Sequence, residues 1–383
     1  MKTGMSLQAM AAELERQVEA RKDYVAEQGA ISARAIVEEG QPSDVVLDGV
    51  NGGLALRPHA HKQLSDALGI PQRYYHRMRA EKPALLADNI NTWLRDEPEA
   101  KRMLRTLDGQ VRAVLSPKYR PLDNFELAQV VLPKLISLGV QVVSTELTET
   151  RMFIKGILPD LSDDLPPGAV WGTGHTAIAE YGGNRSGKIC AALTISNSEV
   201  GAGSLRVEPS VFTAWCTNMA IMKSVAMRKY HVGRAVEVTD NWEVFRDETR
   251  IADDKAFFLK VADITDAAFD RKVFEAAVEQ IRNAAGDKIE TDDLPAVIEV
   301  TTKRLALPVG TGNSILKYLA QGGDMSRWGL ASAVTATANN FGDYEGATEL
   351  ERAGGELLAM TGRDWRAIST ARAAAISTAR AAA

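Results

Sequence analysis

Two runs, Met103-Leu104-Arg105-Thr106-Leu107 and Gln110-Val111-Arg112-Ala113-Val114-Leu115, are separated only by Asp108-Gly109. A two-residue link needs positive φ at both positions, which Asp and Gly tolerate, so the chain is committed here to a tight antiparallel hairpin. A regular loop pairs Leu107 with Gln110 and Thr106 with Val111. Counting outward, Arg105 then faces Arg112 on one side of the hairpin, an unfavourable opposition of like charges. A phosphate held between two guanidinium forks relieves it, and so do nearby carboxylates or a subunit neighbour. The sequence leaves these alternatives open.

The segment continues as Ser116-Pro117-Lys118-Tyr119-Arg120-Pro121. Two prolines stiffen the turn, and an aromatic ring between two cations suits base stacking beside phosphate contacts. An ordinary exposed turn has the same composition. Tyr74-Tyr75-His76-Arg77-Met78-Arg79 mixes the same residue types, but Tyr75 and Met78 share a helical face and read as core.

Charge is unevenly distributed. Residues 101–124 hold six Lys/Arg against Asp108 and Asp123, and residues 183–234 hold seven against Glu199 and Glu208. Residues 240–360 carry 22 acidic side chains and 13 basic ones, within a chain of net charge −5. This pattern fits a local polyanion site on an acidic body, or an acidic region packed against a basic one.

Helical patterning covers residues 6–28, 61–68, 84–95 and 124–137, and Pro71 opens a further helix that carries Arg73–Arg79. Strand patterning covers 44–48, 54–57, 103–107, 110–115, 141–144, 151–157, 170–181, 189–196 and 205–207. Glu208-Pro209 is expected to open a helix reaching residue 230, with Val211, Trp215, Met219, Met222 and Ala226 as its core stripe. Its end, Arg228-Lys229-Tyr230-His231-Val232-Gly233-Arg234, has more cations than a helix dipole needs, so Arg228, Lys229, His231 and Arg234 form a second candidate anion patch. Because strands and helices are segregated, the expected class is α+β: an antiparallel, hairpin-rich sheet with packed helices, then a mostly helical C-terminal region. The expected organisation is an N-terminal helix and lead-in (1–40), an α+β core (41–238), an acidic helical region (239–362) and a low-complexity tail (363–383). The tail repeats the octamer Ala-Ile-Ser-Thr-Ala-Arg-Ala-Ala at residues 367–374 and 375–382.

Several chemistries find little support. Gly182-Gly183-Asn184-Arg185-Ser186-Gly187-Lys188 matches half of a phosphate-binding loop, but Ile189 replaces the magnesium-holding hydroxyl and a strand pattern follows. Five histidines and two cysteines, Cys190 and Cys216, are scattered, so no metal site or cofactor is expected. A magnesium site built from distant carboxylates stays open. The few cysteines and the lack of a long apolar run favour a cytoplasmic protein with no membrane partner.

Leu68-Gly69-Ile70-Pro71 and Arg112-Ala-Val-Leu-Ser116-Pro-Lys-Tyr119-Arg120-Pro121-Leu-Asp123-Asn124 are similar to a phage- and plasmid-borne family, domain of unknown function 932. Ser196-Asn197-Ser198-Glu199-Val200-Gly201, Cys216-Thr-Asn218, the basic run ending at His231, Trp328-Gly329-Leu330 and residues 349–360 fit the same pattern. The resemblance spans roughly residues 50–360, and Met219 stands where a glycine belongs. It implies a mobile-element origin and a bacterial host cytoplasm. The expected function is single-stranded nucleic-acid binding or annealing by a homo-oligomer, through Arg105, Arg112, Lys118, Tyr119, Arg120, Arg228, Lys229, His231 and Arg234. The alternatives are a metal-dependent nuclease or nucleotidyl enzyme, and a non-enzymatic host-interaction protein.

Overall fold

The computed structural model describes residues 1–36, 44–49, 52–119, 122–165, 187–213, 218–222 and 247–372. In chain order the elements begin with α1 (Leu7–Ala20), β1 (Arg21–Glu27), β2 (Ser32–Ile36), β3 (Asp44–Asp48), β4 (Leu54–Ala55), α2 (Pro58–Ala67), α3 (Gln72–Glu81) and α4 (Pro83–Asp96). Then come β5 (Lys101–Leu107), β6 (Gln110–Leu115), α5 (Asn124–Ser137), β7 (Gln141–Leu147), β8 (Met152–Asp164), β9 (Lys188–Asn197), β10 (Arg206–Thr213) and β11 (Asn218–Ile221). The rest is helical: α6 (Asp247–Ala268), α7 (Arg271–Gly286), α8 (Leu294–Arg304), α9 (Thr311–Gly322), α10 (Arg327–Ala338), α11 (Tyr344–Leu358) and α12 (Gly362–Ser369). The fold is α+β, and among the described residues every strand pairing within the sheets is antiparallel. No helix among them is long and apolar enough to cross a membrane.

The described residues between Arg21 and Leu115 build one packing unit. Its two three-stranded sheets, β1-β5-β6 and β2-β3-β4, close with α2, α3 and α4 around Leu47, Leu64, Tyr75, Leu86, Ile90 and Leu104. The other unit is a five-stranded sheet, β11-β10-β9-β8-β7, whose core is shared with α1, α5 and the C-terminal helices. Strand β9 lies at its centre and is buried almost end to end, apolar and small over Ile189–Leu193 and carrying buried Thr194, Ser196 and Asn197 beyond. The C-terminal octamer repeat is partly inside this unit, because α12 takes in its first residues and buries Ile368 beside Trp365.

Three expectations are corrected. The first helix stops at Ala20 rather than residue 28. Tyr24 and Val25 are strand formers, and β1 finds its backbone partners across all seven residues of β5, far away in sequence. The helix expected from Pro209 is replaced by β10 and, where described, β11. Val211, Phe212 and Thr213 favour a pleated surface, and the Pro209 carbonyl accepts the Met222 N–H at 2.8 Å on the β11 side, just beyond the β10–β11 ladder, so the missing N–H takes no bond from β9. Thirdly, Arg105 does not face Arg112. Asp108 (φ 54°) and Gly109 (φ 72°) make the expected tight turn, but the register then shifts. Thr106 pairs with Val111 and Arg105 with Ala113, leaving Arg112 as the extra residue of a β-bulge that re-aims its side chain.

Candidate functional site

The bulge turns Arg112 toward the loop that follows β9, and the two packing units meet there around a buried ionic cluster. Arg105 is only 2% exposed and Arg112 6%. From Arg105, Nε donates to Asp23 Oδ1 at 3.0 Å, Nη2 to Asp123 Oδ1 at 2.7 Å, and Nη1 to the Glu199 carbonyl at 2.7 Å. Arg112 pairs with Glu199 Oε1, and the other Glu199 oxygen accepts the Asn124 N–H at 2.9 Å. Arg21 pairs with the second oxygen of Asp123. Burial opposes the Arg105 charge, but Asp123 and Asp23 outweigh it and raise its pKa above that of a free guanidinium. Three guanidinium groups thus meet three carboxylates, and the carboxylates supply the compensation that the sequence left open.

Neutral contacts lock the same junction. Asn197 Nδ2 donates to the Leu122 carbonyl at 2.8 Å and to Asn124 Oδ1 at 2.9 Å. Gln63 Nε2 donates to the Val200 carbonyl at 2.8 Å, and the Gln63 Oε1 accepts the Val114 N–H at 2.9 Å. Gly201 has φ +77°, and a Cβ there would lie 2.7 Å from Leu115 Cδ2, so the loop needs glycine on two counts. Tyr119 packs with Ala113, Leu115 and Val200 and donates its hydroxyl to the Ser198 carbonyl at 3.2 Å. Burial pushes its phenol pKa up. The described residues of 116–124 and of 197–201 are therefore one spatial feature.

Of the expected site residues, Arg105, Arg112 and Tyr119 come together at this junction, and Lys118 is exposed on the turn beside it. Arg120, Arg228, Lys229, His231 and Arg234 lie outside the described residues. Asp23, Asp123 and Glu199 complete the cluster without any charge pattern that marks them in sequence.

Cations that remain open to solvent lie elsewhere in the same unit. Helix α3 buries Tyr75 and Met78, as their spacing predicts, and turns Arg73, Tyr74, His76 and Arg77 outward. The flanking Lys62 and Lys82 are exposed as well. Arg77 meets Glu81 at 3.1 Å in a solvent-exposed pair worth about 0.3–0.5 kcal/mol, too weak to withhold it from a ligand.

Beneath that helix, the His61 Nδ1 lies 2.8 Å from the Tyr75 hydroxyl, and Nε2 lies 3.3 Å from Asp44 Oδ1 in an electrostatic contact. Arg79 clamps the same carboxylate. Burial lowers the His61 pKa, an effect that Asp44 offsets in part and that Arg79 and His76 reinforce. The unfolded chain therefore binds a proton more readily than the folded one. Stability from this group is full above about pH 6.5 and falls as pH drops below it, by at most about 1.4 kcal/mol per pH unit. Urea midpoints at pH 7.5 and 5.5 are expected to show this decline in the wild type and a smaller one in His61→Gln.

A third polar cluster is sealed between the five-stranded sheet and α11. Lys155 Nζ donates to Glu351 Oε2 at 2.6 Å and sits 4.5 Å from the centre of the Tyr344 ring. The Tyr344 hydroxyl lies 2.7 Å from Ser144 Oγ. Among the described residues, no group of three or more His, Cys, Asp and Glu converges as a metal cage. No family model, curated protein or solved structure matches the chain.

Proposed function

We propose that this is a nucleic-acid-binding protein of the phage and plasmid type, which holds single strands on the outward face of α3 with help from the Lys118 turn. The observation that carries the reading is the exposed set Arg73, Tyr74, His76 and Arg77. Two arginines one helical turn apart suit successive phosphates, and an exposed tyrosine beside them offers a stacking surface for a base. Arg105 and Arg112 serve differently: held by carboxylates, they fix the junction that presents the Lys118 turn. The similarity of residues 116–124 and 197–201 to the phage- and plasmid-borne family supports a mobile-element origin.

Fluorescence anisotropy of a labelled oligothymidylate tests the reading across a salt series. Wild-type affinity is expected to fall steeply with salt. Arg73→Glu with Arg77→Glu is expected to weaken binding at least tenfold and flatten the salt slope, with the urea midpoint nearly unchanged. Wild-type protein that does not bind, or a variant that binds equally well, overturns it.

A further inference from the structure

Helix α4 faces the core with Leu86, Ile90 and Leu94, yet carries two more large apolar side chains outside. Leu85 and Trp93 are each 48% exposed. With Asn89 between them they recur at four-residue spacing, so the three form one stripe along the outer side of the helix. The Asn89 Oδ1 is enclosed and has no hydrogen-bond partner. Lys82, the N-cap residue, stands at one end of the stripe, and Asp96, the last helical residue, stands at the other. Both are exposed, and among the described residues neither has an ion-pair partner. A cation at a helix N-terminus and an anion at its C-terminus are each set against the helix dipole.

We infer that α4 packs antiparallel on α4 of a second copy of this chain, about a two-fold axis at Asn89. Residues equally far from Asn89 in opposite directions then meet. Leu85 packs on Trp93 of the partner subunit, and Lys82 pairs with Asp96 of the partner subunit, each contact occurring twice. Turning the two Asn89 amides lets each donate to the oxygen of the other. The antiparallel arrangement also carries each Asp96 to the N-terminal end of the facing helix and each Lys82 to its C-terminal end, where the dipole favours them. Sliding the helices by one turn sets Trp93 against Glu81 of the partner subunit. Sliding them the other way sets Leu85 against Glu97 of the partner subunit. Both shifts bury an apolar side chain against a carboxylate and lose the Lys82–Asp96 pairs, so the Asn89-centred register is selected. A two-fold, self-complementary contact of this kind closes on a dimer. One helix on one helix is a small interface, so the dimer forms at micromolar rather than nanomolar concentration.

Light scattering on nuclease-treated, full-length protein at tens of micromolar is expected to give twice the 41.5 kDa chain mass. Asp96→Lys sets a lysine against Lys82 of the partner subunit. It is expected to weaken the dimer roughly tenfold or more, while the urea midpoint of the dilute monomer is unchanged. Adding Lys82→Asp restores opposite charges and is expected to recover wild-type affinity, which a purely local effect of either charge would not do. Register is read by oxidative cross-linking: Asn89→Cys is expected to form a disulfide dimer readily, and wild type and Arg95→Cys, off the stripe, are not. A monomeric wild type overturns the inference, as does a dimer indifferent to Asp96→Lys. A double variant that stays weak, or faster cross-linking through residue 95 than through residue 89, overturns the register.

Discussion

Glu199→Ala is expected to destabilise the protein by about 3–5 kcal/mol, because it leaves a buried guanidinium without its counter-charge. Both oxygens of Glu199 are committed, one to Arg112 and the other to the Asn124 N–H in the first turn of α5. Loss of the side chain strands the Arg112 charge at 6% exposure and removes the acceptor from a helix-terminal amide. The Glu199 carbonyl still accepts from Arg105, so the cluster is broken on one side only. Removing Arg112 as well, as Arg112→Met with Glu199→Ala, is expected to recover part of the loss, since no charge is then left unpaired. Arg77→Ala breaks an exposed pair and is expected to shift stability by less than about 0.5 kcal/mol. Urea denaturation of the three variants measures the ordering, and a Glu199→Ala midpoint close to wild type contradicts it.

That cluster shows where sequence reasoning reached and where it stopped. The turn at Asp108-Gly109 is legible because its chemistry is local, and α5 spans the residues its periodicity marks, Asn124–Ser137. The core role of Tyr75 and Met78 follows from helical spacing in the same way. The bulge at Arg112 is not legible, because it depends on what the displaced side chain meets, and that is Glu199, 87 positions further on. Strand β1 was hidden for the same reason. Its residues suit a helix as well as a strand, and only β5 decides between them. From Val211 onward, apolar residues at three- and four-residue spacing imitate a helical stripe, and the strand-favouring run Val211-Phe212-Thr213 is the better guide. A count of charge identified Arg105 and Arg112 as notable residues but could not say whether they face solvent. Burial assigns that outcome, and it passes the open cationic surface to Arg73 and Arg77.

The second large effect is expected at Lys155. It is fully buried, as is Glu351, and burial lowers the lysine pKa while the carboxylate restores part of it. Lys155→Met leaves the buried Glu351 carboxylate without its counter-charge, and is expected to cost about 3–5 kcal/mol. Glu351→Leu is expected to cost less, because a lysine held only by the ring can shed its proton when desolvated. Lys155→Met with Glu351→Leu removes both charges at similar volume. It is expected to lie near wild-type stability, so the coupling in a double-mutant cycle is large and favourable. Additive single losses contradict this, because they mean that neither charge depends on the other. The sheet face that carries Lys155 also buries Thr194, Ser196 and Ser210, an unusual density of polar groups under a helix. Only a paired charge is tolerable in that setting, and α11 is the element that brings the pair. Loosening of α11, read by faster amide exchange along Tyr344–Leu358 in Lys155→Met, is therefore expected to accompany the loss of stability.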